Sequence, residues 1–528
     1  VVIMAAALFG SMPGCRKKVS DDNFIFITLD TQRADFISAY SDGKASTPNI
    51  DSLAKKGILF ENCYSLIPIT LPSHASMFFS KPPHEVKNYN NGQIIRPKRN
   101  RPSFVSFFQR NGFYTAAFVS LGVMTQKFGL DEGFDLYNDD FPDKRWYLTA
   151  EEVNNKVLPW LEESRDKKFF LWVHYSDPHD PYSPPDTPND FKIFFNEKLL
   201  LDACLRKYEY HELNFELKSG KNRLRFEIKN QFVENEDYFR GKMDRMEFFP
   251  EANSENLDID LSRGWLIKRG RNAFFFKNNS IIDITNHKGP MEMSFSFRGS
   301  PILTLEAVRS LYKDEVEYMD QEIGNLLEKL NNLGISHKTK IMIIGDHGEG
   351  LGEYKNFIGD LHFGHVHYLN DVYMKIPLII YDPHKPKNAL RVKEIATPMD
   401  VAPTIFRMMG LKSFQGFRGK DLLHPEKHNE TAIFMETHKP EAVMNGFAIL
   451  QFPWHMIFTP ENRSYQLFNL ETDPEEKHDL FGNKDLPDEI KILKQRLDEF
   501  ARDVLKNKEE IKIDKKTEEM LRSLGYIK

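Results

Sequence analysis

Two short apolar runs, each followed at once by acidic residues, constrain the fold of this chain more than any other feature. The first run, residues 24–29, ends at Asp30, and the second, residues 340–345, ends at Asp346 and His347. Runs of this length are typical of strands buried in a parallel sheet. Ligands bind at the carboxyl ends of strands in an open α/β sheet, so we expect these three side chains to share one site.

The spacing of apolar residues predicts an α/β core that is interrupted by an inserted β-rich segment. From 24 to about 185, buried strands alternate with helices, which indicates an α/β fold with a parallel sheet. Between 186 and 303, apolar and polar residues alternate at 213–217, 224–228 and 291–297. The glycine turn between the first two of these segments predicts a β-hairpin. We therefore expect an inserted all-β module, and 528 residues are enough for both units.

Residues 68–76 predict a helix that begins with a hydroxyl side chain. Pro72 suits the first turn and Ser73 can help to cap it. A helix N-terminus offers unpaired N–H groups and a positive dipole end, which favour an alkoxide and bind anions. Thr70 is therefore the candidate nucleophile, although an ordinary helix cap explains this string taken alone.

The chain resembles the sulfatase family of the alkaline phosphatase superfamily, along nearly its whole length apart from the insert. The resemblance is carried by segments that follow one another in the family's order: 29–35 (LDTQRAD), 47–51 (TPNID), 53–60 (LAKKGILF), 70–76 (TLPSHAS), 174–182 (HYSDPHDPY), 345–352 (GDHGEGLG), 364–367 (GHVH), 376–380 (IPLII), 399–404 (MDVAPT) and 465–474 (YQLFNLETDP).

This resemblance implies an α/β fold of the alkaline-phosphatase type. We expect a three-layer α/β/α sandwich with a smaller C-terminal α+β subdomain and the inserted all-β module. The expected units are a leader and tether at 1–22, the catalytic core at 23–185 and 304–425, the insert at 186–303, and the C-terminal sheet and helix at 426–528.

The resemblance also implies roles for individual residues. Asp30, Asp346 and His347 match the metal ligands, and Thr70 matches the nucleophile that also touches the metal. His179 matches a histidine at the leaving group, and either His365 or His367 falls where sulfatases keep a basic residue for the anion. His74 and Asp177 are expected beside the substrate.

The chain departs from the sulfatase pattern in three respects: at the nucleophile, at one substrate-binding position and at the metal. Sulfatases carry Cys or Ser, oxidised to formylglycine, where this chain has Thr70, and Arg where it has His74. At the metal, Thr31 replaces a second Asp and His347 replaces a frequent Asn. Threonine cannot give formylglycine, so none is expected. One divalent ion is expected, with Zn²⁺ or Mn²⁺ favoured and Ca²⁺ the alternative, because imidazole replaces a hard oxygen donor.

The sequence predicts a metal-dependent hydrolase of sulfuric or phosphoric esters with a covalent intermediate on Thr70. Phosphoric esters are the expected substrates, because a threonine ester of phosphate is easier to hydrolyse than one of sulfate. Two other interpretations stay open: a transferase of phosphoethanolamine-like groups in the cell envelope, and a non-catalytic binding protein on a sulfatase scaffold.

The N-terminal segment predicts export to the periplasm or cell envelope. Residues 1–10 are apolar but too few to span a bilayer, and 11–15 (SMPGC) resemble a lipoprotein processing site with Cys15 as the lipidated residue. A plain secretory signal is the alternative. The expected partner is an anionic ester, with a glycan or lipid headgroup as candidates. The formal net charge is −6, and the charged residues form no long blocks of one sign, so nothing in the sequence indicates nucleic-acid binding.

Overall fold

The structure of the chain is a computed structural model. It describes residues 19–523 except 42, 97–101, 143–144, 181, 186–190, 204–210, 229–241, 244–246, 250–256, 269–272, 288–289, 298, 301–304, 356–360, 386–388, 425–431, 440–443, 484–485 and 509–512. The predicted signal or lipoprotein leader, with Cys15, lies outside the described residues.

The part of the chain before the insert alternates strands and helices. Its elements are β1 (Asn23–Leu29), α1 (Pro48–Ala54), β2 (Ile58–Phe60), β3 (Cys63–Tyr64), α2 (Thr70–Phe79), α3 (Pro83–Val86), α4 (Val105–Arg110), β4 (Tyr114–Phe118), β5 (Leu136–Asn138), α5 (Ala150–Ser164) and β6 (Phe169–Tyr175).

The insert consists of strands. They are β7 (Phe191–Phe195), β8 (Lys198–Ala203), β9 (His211–Leu217), β10 (Gly220–Ile228), β11 (Lys242–Met243), β12 (Glu247–Phe249), β13 (Leu257–Lys268), β14 (Ala273–Asn286), β15 (Met291–Phe297) and β16 (Gly299–Ser300).

The rest of the chain returns to mixed structure. Its elements are α6 (Leu305–Asn332), β17 (Thr339–Gly345), β18 (Gly350–Lys355), β19 (Leu361–Gly364), α7 (Asp371–Met374), β20 (Lys375–Ile376), β21 (Leu378–Tyr381), β22 (Leu390–Val392), α8 (Val401–Met409), β23 (Ala432–His438), β24 (Asn445–Gln451), β25 (Trp454–Thr459), β26 (Ser464–Asn469), α9 (Glu489–Asn507) and α10 (Lys515–Ser523). Short 3-10 helices lie at Ala34–Phe36, Gly122–Met124, Gln126–Phe128, Ser336–Lys338 and Pro398–Asp400.

An eight-stranded mixed sheet forms the centre of the core, in the order β22-β2-β21-β17-β1-β6-β4-β5. Strand β1 lies between β17 and β6 and is parallel to both. Leu29 is in register with Gly345 and with Tyr175. The carboxyl ends of these three strands therefore meet at one edge, as the two apolar runs predict.

Alternate residues of β1 face two separate hydrophobic cores. Phe24 and Phe26 belong to the core that includes residues of α2, α4 and α8. Ile25 and Ile27 belong to the core that includes residues of α1, α5 and α6. Because successive strand residues point to opposite faces, the sheet is covered on both sides. The architecture is the expected three-layer α/β/α sandwich.

The insert packs its strands in more than one sheet, and the predicted hairpin is wrong. Strand β9 pairs with β15, whereas β10 pairs with β14 and β7. The chain does bend at Ser219, where the side-chain Nδ2 of Asn222 donates to Lys218 O at 2.8 Å, but it crosses there between two sheets. The rings of Phe195 and Phe215 pack against each other between those sheets, tilted by 38°, with centroids 4.6 Å apart. Alternating patterns reveal strands but not which strands pair.

The C-terminal part forms a four-stranded antiparallel sheet in the order β23-β24-β25-β26. Helix α9 packs on one face of this sheet through residues such as Leu493 and Leu497. The other face packs on the core through contacts that include Tyr373 and Met435. In the described part of the chain, no helix combines the length and the apolar character that crossing a membrane requires.

Helix α5 begins with a capping box that we expect to contribute to stability. Glu152 N donates to Thr149 Oγ1 at 3.3 Å, and Thr149 N donates to a Glu152 carboxylate oxygen at 2.9 Å. Thr149→Ala removes one partner and should lower the free energy of unfolding by about 1 kcal/mol, measured by urea denaturation.

Thr125→Ala is the matched control for this prediction. Thr125 precedes a short 3-10 helix and makes no side-chain cap bond. Its substitution should cost less than about 0.5 kcal/mol. Equal destabilisation by the two substitutions would contradict the assigned role of the capping box.

Candidate active site

Three segments of the core are joined at Asp346. Its backbone N–H donates to Leu29 O at 3.1 Å, and the hydroxyls of Ser65 and Ser73 donate to its carbonyl oxygen at 2.6 and 2.8 Å. The predicted capping role of Ser73 is wrong, because this tertiary bond uses its hydroxyl. Ile69 is the N-cap of α2 and makes no side-chain capping bond, and Asn91 Oδ1 accepts the N–H of Leu71 in the first turn at 2.9 Å.

The three predicted metal ligands lie together at this junction. One donor atom each of Asp30, Asp346 and His347 lies within 4.8 Å of the other two, and all three side chains are fully buried. Among the residues that the structure describes, no donor makes a hydrogen bond of ordinary geometry to Asp346 Oδ2 or to either carboxylate oxygen of Asp30, although His174 Nε2 approaches Asp30 Oδ2 to 3.5 Å. Buried carboxylates without partners are costly. The donor set therefore fits a divalent cation.

The carbonyl of Gly348 fixes the tautomer of His347. It lies 3.0 Å from His347 Nδ1 and can only accept, so Nδ1 carries the proton. The Nε2 lone pair consequently faces the site, 3.5 Å from Asp346 Oδ2 and 3.4 Å from Thr70 Oγ1. The candidate nucleophile thus adjoins the ligand set, on the first residue of α2.

The pKa values of the ligands reflect their mutual electrostatics. Burial alone would raise the pKa of Asp30. The nearby imidazoles of His174, His179 and His347 outweigh burial and hold this pKa below its ordinary value. Burial and the Asp30 carboxylate raise the pKa of Asp346. Burial lowers the pKa of His347 to about 3, which keeps the imidazole neutral. A bound cation would stabilise the deprotonated form of all three ligands.

Thr31, at the position of the second Asp in sulfatases, braces the site instead of presenting its side chain as a ligand. Its hydroxyl donates to Asp30 O at 2.8 Å, and its N–H donates to Asp346 Oδ1 at 3.0 Å. This arrangement requires a left-handed backbone with φ of 52°. Such a conformation costs about 1 kcal/mol or more for a β-branched residue. Tyr312, whose hydroxyl donates to Thr31 O at 2.7 Å, helps to hold it.

His74 lies behind the candidate nucleophile. Its Nδ1 donates to Thr70 O at 2.8 Å, and its ring centroid lies 5.0 Å from that of His174. The side chain is fully buried, and burial lowers its pKa to about 3. A neutral imidazole therefore occupies the position where sulfatases have Arg, and its role in substrate binding stays a prediction.

The structure separates the two alternatives for the anion-binding histidine. The ring centroid of His365 lies 4.5 Å from that of His347 and 5.1 Å from that of His179. The ring of His367 packs against His362 and Tyr368, with centroids 6.0 and 6.3 Å away. His365, Thr70, His347 and His179 therefore form one group, and the geometry favours His365 over His367.

Asp177 is placed at the N-terminus of α5. Its Oδ1 accepts the N–H of Ala150 at 2.9 Å. A carboxylate at this end of a helix stabilises the helix through its unpaired N–H groups and its dipole. This contact gives Asp177 a structural role, and its role in substrate binding stays a prediction.

Two buried residues of the site were not predicted from the sequence. Glu349 lies in the segment after β17, and its Oε2 lies 3.0 Å from His365 Nδ1. His174 lies at the end of β6, with its Nε2 3.5 Å from Asp30 Oδ2. The signal for His174 was available, because a third buried strand ends in the same sheet and its last residues reach the same edge.

Comparison with known proteins places this site in a family. Residues 22–411 match the Sulfatase family, and residues 360–503 match the C-terminal region of N-sulphoglucosamine sulphohydrolase. The chain is 22% identical over 517 residues to the N-acetylglucosamine-6-O-sulfatase of Bacteroides thetaiotaomicron, covering 92% of this chain and 87% of that protein.

Solved structures share the fold. One, a protein in complex with its substrate D-glucosamine-2-N,6-O-disulfate, has a TM-score of 0.60 at 18% identity and covers 92% of this chain and 98% of its own. The phosphonate monoester hydrolase of Agrobacterium radiobacter has a TM-score of 0.57 at 16% identity, with coverages of 92% and 95%. The family match covers most of the sequence and includes the ligand set. This chain therefore belongs to the sulfatase family and is a hydrolase acting on ester bonds.

Proposed function

We propose that this enzyme hydrolyses anionic esters through a covalent intermediate on Thr70, and that phosphorus esters are its preferred substrates. The observation that carries the proposal is the position of Thr70 Oγ1, 3.4 Å from His347 Nε2 on the first residue of a buried helix. The hydroxyl thus adjoins the metal ligands and the positive end of the helix, where an anionic ester and a developing alkoxide are both stabilised.

The preference for phosphorus follows from the single oxygen of threonine. Formylglycine is a geminal diol, so its second hydroxyl can expel sulfate by elimination. Thr70 has one hydroxyl, and its ester must be cleaved by water at the central atom. Attack of water is easier at phosphorus than at sulfur. The fold likeness to a phosphonate monoester hydrolase is compatible with this preference.

The ligand set supports a Zn²⁺ or Mn²⁺ ion, because one of its three members is an imidazole. Such an ion would act as a Lewis acid on the ester oxygen and lower the pKa of the attacking hydroxyl. Asp30, Asp346 and His347 would hold it.

Thr70, His179 and His365 have different roles in the proposed reaction. The Thr70 hydroxyl gives its proton to water, and Oγ1 forms a bond to phosphorus while the bond from phosphorus to the alcohol breaks. His179, which is half-buried, supplies the proton with which the alcohol leaves. The Asp180 carbonyl fixes His179 Nδ1–H at 2.6 Å, so Nε2 of the imidazolium ring is the atom that transfers the proton. His365 contacts the non-bridging oxygens. Water then cleaves the Thr70 ester and returns a proton to His179 Nε2, and Thr70 regains its proton from solvent.

The class of substrate is proposed from the relatives. One relative is an N-acetylglucosamine-6-O-sulfatase, and one structural neighbour binds a disulfated glucosamine. These relatives support a substrate with an anionic ester on a sugar. The threonine nucleophile supports a phosphorus centre in place of sulfur.

A panel of four nitrophenyl esters tests the nucleophile and the preference together. Metal-stripped enzyme, reloaded with Zn²⁺, Mn²⁺ or Ca²⁺, is assayed with the sulfate, the phosphate monoester, the phosphate diester and the phosphonate. We expect turnover of the phosphorus esters with Zn²⁺ or Mn²⁺ and its loss after metal removal. Thr70→Ala should lower kcat at least about 10³-fold without unfolding the protein.

Thr70→Ser is the matched control, because it keeps the hydroxyl, and it should retain activity within about tenfold of the wild type. Retained activity in Thr70→Ala would remove Thr70 from the mechanism. Preferred turnover of the sulfate would contradict the preference for phosphorus. Inactivity toward all four esters would favour a transferase or a binding protein.

A pair of histidine variants tests the assignment of the anion contact. His365→Ala should lower kcat/KM by about 10²-fold, because a group that contacts the transferring oxygens is lost. His367→Ala should stay within about threefold of the wild type, since its ring packs against His362 and Tyr368. Steady-state kinetics on the best ester of the panel measure both. The reverse order of effects would assign the anion contact to His367.

A further inference from the structure

His174 stands directly beside the metal-ligand set. It is in register with Thr28 of β1, two residues before Asp30, so the sheet itself brings the two side chains together. Asp30 N donates to Tyr175 O at 2.9 Å and continues this pairing. His174 Nε2 lies 3.5 Å from Asp30 Oδ2, and both side chains are fully buried.

Two serines fix the ring of His174 from its other side. Ser120 Oγ lies 2.8 Å from His174 Nδ1 and donates to Ser176 Oγ at 2.8 Å. The backbone N–H of Ser120 also points at Nδ1, at 3.4 Å. On the other side of the ring, the Asp30 carboxylate can only accept, so the nitrogen that faces it, Nε2, carries a proton.

Asp30 has few other groups to orient it. Within the described ranges, neither of its carboxylate oxygens accepts a hydrogen bond of ordinary geometry, and His174 Nε2 has no other hydrogen-bond partner. A carboxylate that binds a metal needs such outer contacts to hold its orientation, and their loss typically weakens metal binding by about 10–100-fold.

We propose that His174 is a positioning residue for the metal centre: its Nε2–H holds the Asp30 carboxylate in place for the cation, and Ser120 holds the imidazole. The inference rests on the metal site and not on the preference for phosphorus over sulfur. In this role His174 orients a metal ligand and does not itself bind the metal.

The test is the dissociation constant of Zn²⁺, measured on the folded apoprotein by competition with a chromophoric chelator. His174→Ala should weaken Zn²⁺ binding about 10–100-fold. His174→Gln places an amide N–H near the position of Nε2 and should restore binding to within about threefold of the wild type. Ser120→Ala should weaken binding by a smaller factor, because the ring loses one of its anchors.

His438→Ala is the matched control for removing a buried imidazole. His438 is 1% exposed and its Nε2 lies 2.8 Å from Glu436 in the C-terminal sheet. The His438→Ala variant should bind Zn²⁺ as tightly as the wild type does. Thermal unfolding measures the stability of every variant.

Wild-type affinity in His174→Ala would overturn the inference, as would equal weakening in His174→Gln and His174→Ala. If His174→Ala fails to fold, Ser120→Ala and His174→Gln decide the question. Because Zn²⁺ binding is measured without substrate, inactivity of the enzyme toward phosphorus esters would leave this result intact. A wild-type protein that binds no Zn²⁺ would overturn it.

Discussion

The hydrogen bonds around Asp346 are the interaction on which the rest of the site depends. Its backbone N–H binds the end of β1, and its carbonyl oxygen accepts two serine hydroxyls, one of them from α2. Its Oδ1 accepts the N–H groups of Thr31 and His347 at 3.0 and 2.7 Å. One residue thereby fixes two strand ends and the helix that carries Thr70. The other oxygen, Oδ2, is left to face Asp30 and His347, which is the arrangement that a metal ligand requires.

This arrangement places the carboxyl groups of Asp30 and Asp346 close together in a buried site. That concentration of negative charge helps to explain why nearby residues differ from the sulfatase pattern. Asp30 and Asp346 oppose each other electrostatically, so the site is stable only with groups that offset them. Imidazoles surround the site at His74, His174 and His365, and burial lowers the pKa of His74 to about 3, which keeps that ring neutral. The hydroxyl and the N–H of Thr31 donate hydrogen bonds to Asp30 O and Asp346 Oδ1. The candidate ligand set therefore contains two acidic side chains, and the candidate nucleophile Thr70 has a single oxygen.

Much of the fold, and the clustering of Asp30, Asp346 and His347, could be predicted from the sequence, because both depend on local patterns. The apolar runs before Asp30 and Asp346 identified the strands, and parallel topology placed their ends together. Partners that are distant in sequence could not be predicted in this way. Strands β9 and β10 alternate as hairpin strands do, yet pair in different sheets. Ser73 has the composition of a cap but binds Asp346, and the choice between His365 and His367 depends on ring contacts that spacing does not encode.

The proposed mechanism requires that Thr70 forms a covalent ester during turnover. This ester can be trapped if the enzyme is quenched in acid while it turns over a phosphonate or phosphate diester, and the modified peptide is mapped by mass spectrometry. We expect a phosphorus-containing adduct on Thr70 that appears within one turnover and is absent before substrate is added. An active enzyme that yields no adduct, or an adduct on another residue, would show that Thr70 is not the nucleophile.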